Sequence, residues 1–158
     1  MFKDIKKKKR ELSKEDTLEL LKNAREGVLS TISSNGYPYG IAVNYVYHNN
    51  CIYFHCSNSG HKLDNIAKNN KVSFFINSDI TIIPHEFTTH YKSAVIFGQA
   101  CIVNDKEEKK DAIIAIGEKY SHPHMNKGLK YIDNAFNAFT VVKIEINHLT
   151  GKYSDGTN

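Results

Sequence analysis

The run Ile52-Tyr53-Phe54-His55-Cys56-Ser57-Asn58-Ser59-Gly60-His61-Lys62-Leu63 holds the densest set of groups able to do chemistry in this chain. An apolar stretch gives way to small polar residues and a glycine, then to His-Lys and a helical pattern. The N–H groups at a helix start have no partner of their own and favour an anion. Ser57 and Ser59 add hydroxyl donors and Lys62 adds a positive charge, so the segment reads as a phosphate cradle. An ordinary helix cap followed by an exposed lysine fits the same residues. His55 stands just before the cradle. It is either a half-buried imidazole bonded to backbone or a polar group beside a ligand, able to orient a substrate or pass a proton near neutral pH.

Elsewhere the signals thin out. His122 and His124 could join His85 or His90 at a metal, but no acidic residue stands at ligand spacing, and no metal is expected. Cys51 and Cys56 lie five apart on one strand, face opposite sides and cannot pair. Cys101 is expected in the core. Three cysteines without C-x-x-C fit neither a disulfide framework nor a zinc ribbon. Walker A, G-x-G-x-x-G, G-x-S-x-G and H-E-x-x-H patterns are all missing. The tyrosines between 37 and 47 have no basic residue among them, which argues against stacking single-stranded nucleic acid there.

The chain of 158 residues is 41% hydrophobic and 24% charged, which excludes wholesale disorder. Its length suits one domain over residues 1–158. No apolar run approaches the roughly 20 residues of a membrane helix, so no membrane contact is expected. Net charge is +4, yet residues 1–14 alone carry seven basic and two acidic side chains. The basicity therefore belongs to an N-terminal arm, residues 1–12, expected to be solvated and partly frayed rather than a nucleic-acid face. The arm lacks a following apolar segment and is not a secretory signal, so the expected compartment is the cytosol.

Ser13 or Asp16 would cap a helix running to about residue 23, with Leu18, Leu20 and Leu21 as its stripe. Residues 27–34, an Asn35-Gly36 type I′ turn and residues 37–47 predict a hairpin whose second strand has one heavy and one light face. Further strands are expected at 51–57, 72–78, 91–103 and 138–146. A short helix after Gly60 would turn Leu63, Ile66 and Ala67 inward. An Asp105/Glu108 capping box would open a helix to about residue 120. Residues 79–90 read as loop, 149–158 as polar tail, and 121–137 as ambiguous with a short helix near 129–132. The expected class is mainly β with flanking helices: six antiparallel strands in a small barrel. The strand at 91–103 is apolar on both faces, as a barrel wall against a second subunit would be.

Four blocks, NGYPYGIAVNY (35–45), IYFHCSNSGHKLDNIAKN (52–69), FTTHYKSAVIFGQACIV (87–103) and LTGKYSDG (149–156), occur in order. Together with the opening KKKKRELSKEDTLELL they resemble the flavin-binding split-barrel superfamily that includes pyridoxamine 5′-phosphate oxidase, and within it the nitroimidazole-resistance group. The resemblance implies a six-stranded antiparallel split β-barrel and a homodimer with two FMN molecules at its interface. Ala42, Val43 and Asn44 would line the isoalloxazine ring, mainly through backbone, with Gly40 and Ala42 leaving room for it. His55 and Cys56 would lie beside the ring and ribityl chain, Ser57, His61 and Lys62 at the phosphate, and Ser93 on the long strand would also touch the cofactor. In the pyridoxamine phosphate oxidases basic residues match Gly40 and Tyr45, a Ser and an Arg match Gly60 and His61, and a basic C-terminal segment binds substrate. Here Leu149–Asn158 offers only Lys152. The implied activity is therefore not vitamin B6 oxidation. It is FMN-dependent reduction of small electron-poor organic molecules, nitroaromatics among them, with His55 as catalytic group and NADH or NADPH as candidate donors. A flavin- or haem-binding sensor or store without turnover is the alternative.

Overall fold

The computed structural model describes residues 2–156. Met1, at the start of the arm, and Thr157 and Asn158 lie outside the described residues. Helix α1 spans Lys14–Asn23, and the Ser13 hydroxyl oxygen accepts the Asp16 N–H at 3.0 Å to cap it. Strands β1 (Glu26–Ile32), β2 (Pro38–Asn44), β3 (Val46–His48) and β4 (Cys51–Cys56) follow, then α2 (His61–Lys68). Long strands β5 (Lys71–Ile83) and β6 (Thr88–Ile102) precede α3 (Lys106–Ser121), α4 (Met125–Ala135) and β7 (Thr140–Ser154).

The strands form one antiparallel sheet of seven, in the order β2-β1-β5-β6-β7-β4-β3. Seven replaces the expected six because the 37–47 segment is two strands. The ladder breaks at Tyr45, the single residue between β2 and β3, which sit at opposite edges of the sheet. One residue spans less than about 4 Å, so the two edges must adjoin, and the sheet curls round on itself. The Tyr45 ring is fully buried against Phe74, and its hydroxyl donates to Leu21 O at 2.6 Å.

Inside the curl, Leu29, Phe54, Phe74, Ile76, Ile96 and Ile144 form the main core, plugged by Leu20 and Leu21 of α1 and Leu63 and Ile66 of α2. A second cluster lies outside the sheet, where Tyr53, Val103 and Val141 pack under Ala112, Ile113 and Ile116 of α3 and Ile132 of α4.

Other expectations also change. The hairpin after β1 closes with Gly36 N–H to Ser33 O and only Gly36 at positive φ, so it is a three-residue turn ending in a left-handed glycine. The doubly left-handed pair is Asn49 (φ 47°) and Asn50 (φ 61°), between paired His48 and Cys51. The expected loop at 79–90 shrinks to the turn around Pro84–Glu86: β5 and β6 run on as a ladder past an irregularity at 78–81 to Ile83 and Thr88. The polar tail is strand too, since its small and polar residues pair with β6 as far as Ser154. Residues 125–135, inside the ambiguous stretch, are helical. Ala67 is exposed, and α2 instead buries Asn65. Cys101 is exposed rather than core, because even-numbered positions of β6 face inward there.

The arm is not frayed. Phe2 stacks on Phe97 and His148 at 5.0 and 4.9 Å, Leu12 N–H reaches Gly151 O, and the Tyr153 hydroxyl donates to Lys9 O. Among the described residues, no helix is long and apolar enough to cross a membrane.

Candidate functional site

The seam where the two sheet edges adjoin carries most of the singled-out residues. β4 ends at Cys56, residues 57–60 turn, and α2 then lies against β1 and β2 on the far side of the seam. Asn65 fixes it there. This side chain is 2% exposed, and its Nδ2 donates to Thr31 Oγ1 at 2.9 Å and Ser33 Oγ at 3.4 Å. His61 adds a second tie, with Nε2 3.0 Å from Ser33 Oγ and its ring 4.3 Å from that of Tyr39. The turn before α2 is held by Asn58, which donates to Asn137 O and accepts from Thr140 Oγ1, both at 2.9 Å.

At the helix start the N–H groups of Leu63 and Asp64 close onto Gly60 O, and no side chain caps the helix. The N–H groups of His61 and Lys62 are left facing forward. Gly60 has φ 139°, in the glycine-favouring region, and a Cβ there would meet nothing within 4 Å, so the space ahead of the helix is open. Ser57 and Ser59 are exposed beside it, and Lys62 is half-buried. Ser33 takes Nε2 of the His61 imidazole and Tyr39 one face of it, and the residue adds its backbone N–H at the helix start.

On the same side of the seam as α2, β2 alternates. Tyr39, Ile41 and Val43 are half-buried, while Gly40, Ala42 and Asn44 are exposed. Val43 packs on the main core and presents only backbone to the outside. Asn44 Nδ2 donates to Arg25 O at 3.2 Å. On β4, His55 and Cys56 point to opposite faces. Cys56 packs against the main core, where burial pushes its thiol up. His55 faces outward, its ring 6.0 Å from that of Phe139 in an edge-on contact. His55 is exposed on this face, and partial desolvation there lowers its imidazole below its ordinary value, which favours the neutral ring.

His55 and Asn44 converge on one cavity of about 410 Å³ between β4, α3 and α4, whose wall also includes Tyr120 and Phe139. Ser93 is not brought there. It lies on β6 opposite Asn77, whereas Asn44 lies opposite Glu26 on β1. Continuing the β1–β5 register makes these one cross-strand row, with Ser93 three inter-strand spacings, about 14 Å, from Asn44. No group of three or more metal-ligating side chains converges among the described residues.

The Pyridoxamine 5′-phosphate oxidase family model matches residues 13–153. The chain belongs to this family. Within the pyridoxamine 5′-phosphate oxidase family the matched span starts at the cap of α1 and stops one residue short of the end of β7, so it takes in the whole sheet and the seam. No curated protein matches the sequence. Among solved structures, a putative 5-nitroimidazole antibiotic resistance protein from Bacteroides thetaiotaomicron is similar at TM-score 0.74 and 22% identity, over 90% of this chain and 86% of that one. A conserved hypothetical protein from Mycobacterium tuberculosis reaches TM-score 0.83 at 19% identity, over 97% and 92%. An FAD and heme binding protein from Mycobacterium smegmatis reaches 0.77 at 14%, over 90% and 72%. These likenesses concern the fold.

Two residues that position the site escape the sequence motifs. Asn65 is legible as a polar residue beside the apolar positions of α2. Tyr120 carries no such sign. Its hydroxyl accepts Tyr45 N–H at 2.9 Å and lies 2.7 Å from Tyr45 O and 2.5 Å from Arg25 O, lashing the end of α3 to the strand switch.

Proposed function

We propose that this protein binds FMN at the seam and reduces small electron-poor organic molecules, nitroaromatics among them. The observation that carries the reading is the uncapped start of α2, with two forward N–H groups, Lys62 and open space over Gly60, set beside β2, whose Gly40, Ala42 and Asn44 are small or polar and exposed. The cradle fits a phosphate monoester, and Gly40, Ala42 and Asn44 leave a face that a flat ring can approach. Ser57, Lys62 and the His61 N–H would hold the phosphate. The backbone of Ala42, Val43 and Asn44 would face the ring, and Cys56 would border it through backbone. A bound flavin supplies the two-electron chemistry. His55, neutral and facing the cavity, would orient the substrate or hold a proton for it. Relatives of the same fold bearing the descriptions FAD-binding and FAD and heme binding support a flavin site in general.

The same reading makes the active form a homodimer. Ala42, Val28, Phe75 and Val95 are register partners in one row on the outer sheet face, and Val28 and Phe75 remain 37% and 40% exposed. A second copy would cover this row, and with it Ser93 would enter a cofactor site shared between protomers.

The test is the visible spectrum of the purified chain, followed by release and identification of any chromophore, then titration with FMN, FAD and riboflavin. FMN is expected to bind about ten-fold or more tightly than riboflavin, and Lys62→Ala is expected to erase that difference while leaving riboflavin unchanged. Equal affinity for FMN and riboflavin in the unsubstituted chain would sink the cradle. A haem band instead of flavin would move the protein to a haem-binding store or sensor.

A further inference from the structure

The cavity beside His55 has a built-in size control. Met125, the first residue of α4, sits between two glycines on facing helices. A Cβ on Gly117 would stand 2.8 Å from its sulfur, and one on Gly128 would stand 3.3 Å from it. Side chains at either glycine would push the thioether out of its slot. Methionine is unbranched and has three rotatable bonds, so it can move without disturbing the backbone. Gly117, Gly128 and Met125 all line the cavity, and the displaced methyl would occupy space now available to a ligand.

The lining has a second property. It contains no Lys, Arg, Asp or Glu. Its polar groups are neutral: the His55 imidazole, the Tyr120 and Tyr131 hydroxyls, Ser121 and the Asn44 amide. A carboxylate or phosphate carried into it would lose its hydration and meet no cation on the lining. The nearest ammoniums, Lys109 and Lys119, stand behind the Phe139 and Tyr120 rings and are held by the Phe136, Phe139 and Ala24 carbonyls. Flat walls from Phe139 and the edges of Ile113, Ile116 and Ile132 suit a planar ring. A volume of about 410 Å³ falls in the lower part of the range for small-molecule sites.

We propose that this cavity is the substrate compartment of the site, that it admits uncharged planar ring compounds and rejects anionic ones, and that Met125 seated between Gly117 and Gly128 sets the largest ring system it accepts. The proposal rests on the functional reading above for the word substrate, but the compartment is formed by this chain's own helices and strand and does not need the flavin.

Ligand-observed NMR for affinity, with histidine-ring spectra of the protein for contact at His55, tests it on the full chain, first without flavin and again with FMN. The probes are quinoline, its anionic analogue quinoline-2-carboxylate, and the three-ring phenanthridine. Quinoline is expected to bind and to shift the His55 imidazole resonances, with the carboxylate at least ten-fold weaker. Gly117→Ala removes a helix-interior glycine and is expected to fold at least as well, yet to weaken quinoline about five-fold or more. Met125→Ala is expected to strengthen phenanthridine relative to quinoline. Circular dichroism on each variant separates lost folding from lost binding. Equal binding of quinoline and its carboxylate, quinoline binding that leaves His55 unshifted, or an unchanged quinoline-to-phenanthridine ratio in both variants would overturn the proposal. Flavin affinity is read separately by flavin fluorescence. Quinoline binding without flavin binding leaves the compartment standing and removes the reductase reading, and the reverse result removes the compartment alone.

Discussion

Partial desolvation lowers the imidazole of the exposed His55 below its ordinary value, and that has a consequence for stability with a definite sign. The unfolded chain takes up a proton at an ordinary histidine value, roughly 6.5, while the folded ring takes it up only at lower pH. Below about pH 6.5 the unfolded state therefore binds more protons, and folding stability falls as pH drops through that window. Urea titrations at pH 7.5 and 5.5 should show the loss, and His55→Gln should make it smaller. An imidazole titration of His55 by NMR with its midpoint above 6.5 would contradict the assignment. Asn65 is a second residue whose chemistry is fixed by burial. Asn65→Ala removes two side-chain bonds and leaves Thr31 and Ser33 short of a donor. It should cost about 1–3 kcal/mol in urea unfolding and weaken FMN by loosening the start of α2.

Elements place these residues through a few close approaches. Tyr120 ties α3 to the one-residue crossing at Tyr45 by bonding the backbone of Tyr45 and of Arg25, just before β1. Tyr120→Phe leaves the buried Tyr45 N–H without an acceptor and should cost about 1–3 kcal/mol, measured by the urea midpoint at unchanged slope. Gly98 lies where β6 slips register against β7, and a Cβ there would stand 2.3 Å from Glu145 O. Gly98→Ala must move backbone, and thermal melting should show it to be far more damaging than Gly117→Ala, which meets only a flexible side-chain end.

The strands that were legible were those with alternating or β-rich letters and a turn pair at each end, and the helices with a capping residue. The Asp105 cap is real, its side chain accepting Glu108 N–H at 2.8 Å. Glu108 does not return the bond, because Tyr53 and Lys143 claim its carboxylate at 2.9 and 3.0 Å. Contacts across the sheet decided what local pattern could not. Residues 80–83 carry strand-like letters, but Asp79 and Pro84 interrupt the pattern around them, and the segment 149–154 is small and polar; each is strand because β6 offers it an edge. The break at Tyr45 was hidden because the period-two pattern runs straight through it, while the chain leaves one edge of the sheet for the other. The cradle at 57–62 was readable since it depends on consecutive residues. The cavity was not, since it joins residues 44, 55, 117, 125 and 139.

At the scale of the whole molecule, the outer sheet face leaves apolar side chains uncovered. Ile32 at 42% exposure lies four residues along β1 from Val28 and adds to the Val28–Phe75 row. If a second copy covers it, light scattering should return twice the 18.0 kDa chain mass, and Phe75→Asp should return the single mass with the circular dichroism spectrum retained. A single mass for the unsubstituted chain would remove the dimer. The docked arm makes a separate prediction. Deleting residues 2–10 uncovers Phe97 and His148 and should cost roughly 1–3 kcal/mol, the sum of two ring contacts.

The order of the strands also bears on how the molecule comes into being on the ribosome. β7 occupies the gap between β6 and β4, pairing Ala100 with Ile144 on one side and Ile52 with Ile144 on the other. It follows every other element in the chain. Until it has been synthesised, the nascent protein holds two facing strand edges, those of β6 and β4, without their partner, and such edges invite pairing with other chains. The slow step of folding is expected to be the insertion of residues 140–154, and a nascent chain stalled before them is the form that chaperones would have to hold.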